Sequence, residues 1–280
     1  MEKFLQQIEN MRITPQKTIL KGGPGVHKGY GRGASMDFYG HTPYAPGEDI
    51  RKIDWMAYAR TDNLYIKEFS EERRMHVRVL LDASASMGFG GPGKWKTARL
   101  VAAGLSYITL KQGDRLSFLT VNDRLEFLLR GAEGRECFYE LADRVSRLIP
   151  HGITSFERIG ELEDRSADMT FVVSDFFSGQ RESLVNSLCL EGKETVLIHV
   201  LASAEKNPDC GEELKLVDME TGAVRRIHFT GPMKQKYAQK VGAFIQGLKD
   251  LCTRLGAFYV PAAAEEAPLK ILQRALGVCG

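Results

Sequence analysis

The 280-residue sequence has no apolar run long enough to cross a bilayer, no surplus charge of either sign and no cysteines at zinc-binding spacing. Each absence excludes a class of protein. A spanning helix needs about 20 successive apolar residues. The stretch from Met1 to Asn10 mixes charges and amides among its apolar residues, so neither a signal peptide nor a membrane anchor is expected there. A net charge of +2 and a pI near 8.2 supply no bulk field for nucleic acid or a membrane surface. Cys137, Cys189, Cys210, Cys252 and Cys279 are scattered, odd in number and without a C-x-x-C pair. That argues against a disulfide framework and for reduced thiols in the cytoplasm. His27, His41 and His151 are isolated, and His199 sits inside an apolar run, so no histidine stands out as a general base. What remains is ordinary globular composition, 43% hydrophobic and 26% charged, enough for one large α/β domain with an extension.

The chain is organised around Val77-Arg78-Val79-Leu80-Leu81-Asp82-Ala83-Ser84-Ala85-Ser86-Met87. A Val- and Leu-rich run ending in an acid reads as a strand buried on both faces of a parallel sheet. Asp82 then falls at its carboxyl end, where open α/β sheets bind ligands. Asp82, Ser84 and Ser86 offer only oxygen, which suits Mg²⁺ or Mn²⁺ better than Zn²⁺. This Asp-x-Ser-x-Ser segment resembles the first element of the metal-ion-dependent adhesion site of von Willebrand factor type A domains. The resemblance implies a Thr and a second Asp on later loops. Gly152-Ile153-Thr154-Ser155 and Phe171-Val172-Val173-Ser174-Asp175 are similar to those two elements. The implied ligand set is therefore Asp82, Ser84, Ser86, Thr154 and Asp175. Thr154 and Ser155 also qualify as N-caps of a following helix.

Upstream, Gly22 to Gly33 is dense in glycine and alone reads as a linker. The segment from Phe38 to Trp55 has prolines and aromatics alternating with Arg and Asp, which suits an ordered, hydrogen-bonded loop. With Ala59-Arg60-Thr61 it resembles the signature of the "domain of unknown function 58" family, with Glu48 in place of the first acid of an Asp-Asp pair. The resemblance implies an N-terminal extension over residues 1–73, packed on a von Willebrand A-like domain over 74–280. It also implies a MoxR-type AAA+ ATPase as partner.

The alternation of patterns supports the same fold class, a Rossmann-like doubly wound, mostly parallel sheet with one antiparallel edge strand. Helical spacing marks Phe4 to Met11, Trp95 to Thr109, Phe138 to Leu148, Phe156 to Leu162, Pro232 to Leu255 and Glu265 to Leu276. Strands are expected at Tyr65 to Phe69, Arg115 to Val121, Arg124 to Leu129, Met169 to Asp175, Thr195 to Leu201 and Ala257 to Val260. A hairpin is expected over 214–229. The expected function is a non-catalytic, metal-dependent interaction module whose ion accepts an acidic side chain from a client protein. A second class stays open. Gly88 to Lys94 is most of a phosphate-binding loop, although Trp95 stands where that motif needs Ser or Thr. It would make the protein a nucleotide-binding or Mg²⁺-dependent phosphate-processing enzyme. A degenerate domain without metal is the third reading.

Overall fold

The computed structural model describes residues 2–14, 36–71, 74–90, 92–159, 166–189, 193–208, 213–218 and 222–277. The glycine-rich stretch from Gly22 to Gly33 with His27, the Glu72-Arg73 pair, Cys210, Cys279 and the end of the helix expected after Phe156 lie outside them. The described residues form two compact units. Residues 2–14, carrying α1 (Glu2–Gln7), group with residues 75–277, and residues 36–74 form the second unit. Ile8 and Ile13 are buried in the larger unit's core, each burial contributing roughly 2 kcal/mol. The amide of Ile13 donates to Gln112 Oε1 at 2.6 Å and its carbonyl accepts from Gln112 Nε2 at 3.1 Å, which pins the segment.

The smaller unit is an antiparallel pair, β1 (Met36–Pro43) and β2 (Tyr65–Glu71), with α2 (Trp55–Thr61) between them. Asp54 is its keystone. One carboxylate oxygen caps α2 through the amides of Met56 and Ala57, and the other bonds His41 Nε2 at 2.7 Å. Those bonds hold the Asp54 carboxyl at about 2, with His41 the largest cause and burial opposing. The family-like segment is therefore hydrogen-bonded within its own unit.

The larger unit is built on six strands in the order β10-β7-β6-β3-β4-β5. They are β3 (His76–Asp82), β4 (Arg115–Val121), β5 (Leu125–Ala132), β6 (Met169–Ser174), β7 (Glu194–Leu201) and β10 (Phe258–Ala263). All pairs are parallel except β4 with β5, the expected antiparallel edge. Side chains alternate across the sheet. Val77, Val79, Leu81, Phe118, Phe171 and Val173 enter one core with α3 (Pro92–Lys111), α4 (Cys137–Arg147) and α8 (Pro268–Gly277). Leu80, Leu119, Val172 and Leu197 enter another with α5 (Arg181–Cys189) and α7 (Gly231–Leu255). The sheet is doubly wound.

Two local expectations change. The spacing in α3 predicts one buried stripe, yet residues 101–110 are buried all round, because α1, α4 and α8 pack around it as well as the sheet. The helix expected from Phe156 begins as a 3₁₀ turn over Phe156–Ile159. After β7 comes the single turn α6 (Ser203–Lys206). The hairpin β8 (Glu213–Val217) with β9 (Val224–His228) stands as its own two-stranded sheet. Among the described residues no helix is long and apolar enough to cross a membrane.

Candidate functional site

The chain leaves β3 toward β4 and β5 on one side, then returns to β6 on the other. The carboxyl ends of β3 and β6 therefore flank the point where strand order reverses, the usual ligand crevice of this fold class. Leu81 pairs with Val173, so Asp82 lies beside Ser174 at the top of the crevice. Asp82 Oδ1 accepts the Ser84 amide at 2.9 Å, a short Asp turn that folds the chain back over the strand end. A 3₁₀ turn over Ala85–Gly88 follows, and the Ser84 and Ser86 hydroxyls sit 3.0 Å apart.

The loop that carries Thr154 is fastened to this turn by two backbone bonds. The His151 amide donates to the Ala83 carbonyl at 2.8 Å, and the Ala85 amide to the Gly152 carbonyl at 3.0 Å. Gly152 has φ +74°, and a Cβ on it would collide with the Asp123 carboxylate, which accepts the Ile153 amide at 2.7 Å. Only glycine suits that position. The loop delivers the Thr154 hydroxyl to 3.3 and 3.4 Å from the two Asp82 oxygens. The Thr154 hydroxyl is thus turned toward Asp82. Ser174 donates to Asp82 Oδ2 at 2.5 Å. Burial, and then the nearby Asp175, push the Asp82 carboxyl up to about 6.

Asp175 begins a strained turn. Phe176 behind it has φ +54° although fully buried, a conformation costing a bulky residue roughly 1–2 kcal/mol. The turn directs Asp175 Oδ1 to the Phe177 amide at 3.1 Å and Oδ2 to Lys94 Nζ at 2.7 Å. Lys94, near the start of α3, has no exposed side-chain surface. Its ammonium also donates to Glu205 Oε1 at 2.7 Å and to the Ser86 carbonyl at 3.1 Å. Behind this cluster His199 bonds Tyr259 Oη at 2.8 Å among the rings of Phe176 and Phe244. Burial pulls its pKa down to about 4 against the opposing pull of Asp175, so it is a neutral structural imidazole.

The structure places Asp82, Ser84, Ser86, Thr154 and Asp175 at one end of the sheet, in two groups. Asp82 gathers hydroxyls, whereas Asp175 is ion-paired. Three participants go beyond the expected set: Ser174, Glu205 and Lys94 as an internal cation. Ser174 was within reach of pattern reasoning, because it precedes Asp175 at a buried strand end. Glu205 carries no motif. Among the described residues no group of three or more His, Cys, Asp or Glu side chains is arranged to hold a metal ion. The candidate donors are instead two carboxylates and three hydroxyls, oxygen throughout, which fits a hard cation.

Residues 41–243 match the profile of a family described as "Protein of unknown function DUF58". The chain belongs to the DUF58 family. Similar curated proteins include the uncharacterized protein Rv1480 of Mycobacterium tuberculosis and Mb1516 of Mycobacterium bovis, each 24% identical over 209 residues. The alignment covers 71% of this DUF58 chain and 66% of those relatives, so the chain spans just under two thirds of their length. Among solved structures, the conserved hypothetical protein BatB from Bacteroides thetaiotaomicron overlaps with TM-score 0.43 at 11% identity. That overlap covers 73% of this chain and 98% of BatB. A von Willebrand factor type A protein from Catenulispora acidiphila overlaps with TM-score 0.43 at 12% identity, covering 78% and 44%.

Proposed function

We propose that this DUF58 protein is a divalent-metal-dependent protein-interaction module whose ion, Mg²⁺ or Mn²⁺, is held at Asp82 by Ser84, Ser86 and Thr154, with Asp175 closing the site. One observation carries the reading. Asp82 is a fully buried carboxylate that has no cationic side chain of its own among the described residues, since the ammonium of Lys94 is directed to Asp175 and Glu205. A buried carboxylate in that position needs a proton or a metal to supply the missing charge. The donors around it, brought together from three separate loops, are all oxygen, as suits a hard cation, and Ser86 is partly exposed, which leaves a side open to a partner. When bound, the ion would supply a Lewis-acidic position for an acidic side chain of a client protein.

The chain's own residues do the rest. Ser84 and Thr154 hold the Asp82 carboxylate in one orientation. The loops that carry the site residues also present Phe89, Ile149, Ile153 and Phe177 to solvent, apolar side chains suited to a protein partner around a polar centre. Within this reading the partner is a MoxR-type AAA+ ATPase working on a client, as the family resemblance suggests, and the domain performs no catalysis. The phosphate-loop alternative finds little support. A phosphate-binding lysine must reach its ligand, whereas Lys94 is buried and committed to two carboxylates and a carbonyl.

The test is calorimetric titration of Mg²⁺ and Mn²⁺ into chelator-treated protein, with Asp82→Ala and Ser86→Ala alongside. Binding near one equivalent that is lost in Asp82→Ala is expected. Absence of binding at millimolar Mn²⁺, both alone and with the ATPase present, would overturn the reading.

A further inference from the structure

Lys94 is placed as no solvated lysine would be. Three elements fix its ammonium group, and all three of its donors are used: the Ser86 carbonyl in the turn after β3, Asp175 after β6, and Glu205 in α6 after β7. Glu205 is itself anchored, with Oε2 accepting the Ala202 amide at 2.7 Å and its carbonyl accepting the Tyr237 hydroxyl at 2.7 Å. The Phe177 ring lies 5.8 Å from the ammonium and stacks on Phe244 at 5.1 Å, which shields the cluster from water. Burying an ion pair of this kind gains little stability over a well-packed apolar core, so stability alone is a weak reason for it.

We propose that Lys94 is a tethered cation that competes with the metal for Asp175 and thereby sets the metal affinity and the charge of the loaded site. The inference rests on the metal-site reading above. The formal charges make the argument. Asp82, Asp175 and Glu205 contribute three negative charges and Lys94 one positive, leaving two, which a divalent ion neutralises. Without Lys94 the loaded site would stay negative and would repel the acidic side chain it is meant to accept. With Lys94 in place, the ion has Asp82 as its one uncommitted carboxylate and keeps its attraction for an anion. Lys94 thus trades metal affinity for partner affinity. Because it also holds the Ser86 carbonyl, the same lysine positions the turn that carries two of the hydroxyl donors.

The experiment measures Mn²⁺ dissociation constants by calorimetry and by electron paramagnetic resonance on the full chain. The variants are Lys94→Met, Glu205→Gln, the double Lys94→Met/Glu205→Gln, and Asp82→Ala. Lys94→Met is expected to bind Mn²⁺ on the order of tenfold more tightly, since one nearby like charge is removed. Glu205→Gln is expected to bind several-fold more weakly. The double variant keeps the wild-type formal charge but frees Asp175, so it is expected to bind more tightly than wild type. It also serves if Lys94→Met alone fails to fold. A merely structural lysine would give no gain in affinity, because damage to a site does not tighten it. Equal or weaker Mn²⁺ binding by the folded Lys94 variants, with wild type binding and Asp82→Ala not, overturns this inference alone. No binding by any variant, or binding that survives Asp82→Ala, overturns the metal reading and this inference with it.

Discussion

Replacing Asp82 by Asn separates the demands of folding from those of the site. The Asp82 carboxyl stands at about 6 against an ordinary 3.8, for which burial is the main cause and Asp175 the second. A carboxyl raised in the folded state binds its proton more tightly there than in the unfolded chain. The fold is therefore undisturbed by this group below the ordinary value, loses stability as pH rises through the window from about 4 to 6, and carries the whole cost above it. About two pH units at 1.36 kcal/mol each set an upper figure of about 3 kcal/mol. Asparagine has no charge to bury. Its oxygen still accepts the Ser84 amide, and its amide can donate to the Ser174 hydroxyl. In chelator at pH 7.5, Asp82→Asn is expected to be more stable than wild type by about 1–3 kcal/mol, or several degrees in Tm for a domain of this size. The gap should close by pH 4. Saturating Mn²⁺ should raise the wild-type Tm and leave the variant unmoved, reversing or erasing the order. Denaturant unfolding between pH 4 and 8, with and without metal, reads all of this. A variant less stable than wild type at pH 7.5 in chelator, or a difference that ignores pH, would refute the claim that Asp82 is a buried acid without a counter-ion.

The other predictions concern single supports. Gly152→Ala should lower stability by about 1–2 kcal/mol through its left-handed backbone alone. It should also weaken Mn²⁺ binding several-fold, because the collision with Asp123 moves the Thr154 loop; unchanged melting and titration curves would contradict this. Thr154→Val, which keeps the side chain's shape, should weaken Mn²⁺ binding with little change in fold, as measured by calorimetry and circular dichroism. In the smaller unit, His41→Ala should raise the Asp54 pKa from about 2 toward the ordinary carboxylate range. A depressed carboxyl contributes stability above its unfolded value and loses it as pH falls through the folded one. The variant should therefore lose the Asp54 contribution at a higher pH, and carboxyl NMR titration that finds Asp54 still near 2 would refute the His41 assignment.

Asp82 and Asp175 are legible in the sequence for one physical reason. Each follows a run of Val, Leu or Phe that only a parallel sheet covered on both faces can bury, so each sits where such a strand stops. The hydroxyls at alternate positions after Asp82 and the glycine two residues before Thr154 are local signals of the same kind. Helix α3 was harder, because its all-round burial depends on α1 and α8, whose sequence positions bracket the chain. Lys94 shows where local pattern stops. Read along the chain, it follows a glycine-rich loop and looks like a phosphate ligand. Its carboxylate partners lie 81 and 111 residues away, and nothing short of the β3-β6-β7 order brings them together. That order also divides two acids that the motif treats alike. Strand β6 carries Asp175 to an internal cation, while β3 leaves Asp82 without one among the described residues, and in the proposed reading it is this inequality that would make Asp82 the point at which a metal has most to gain.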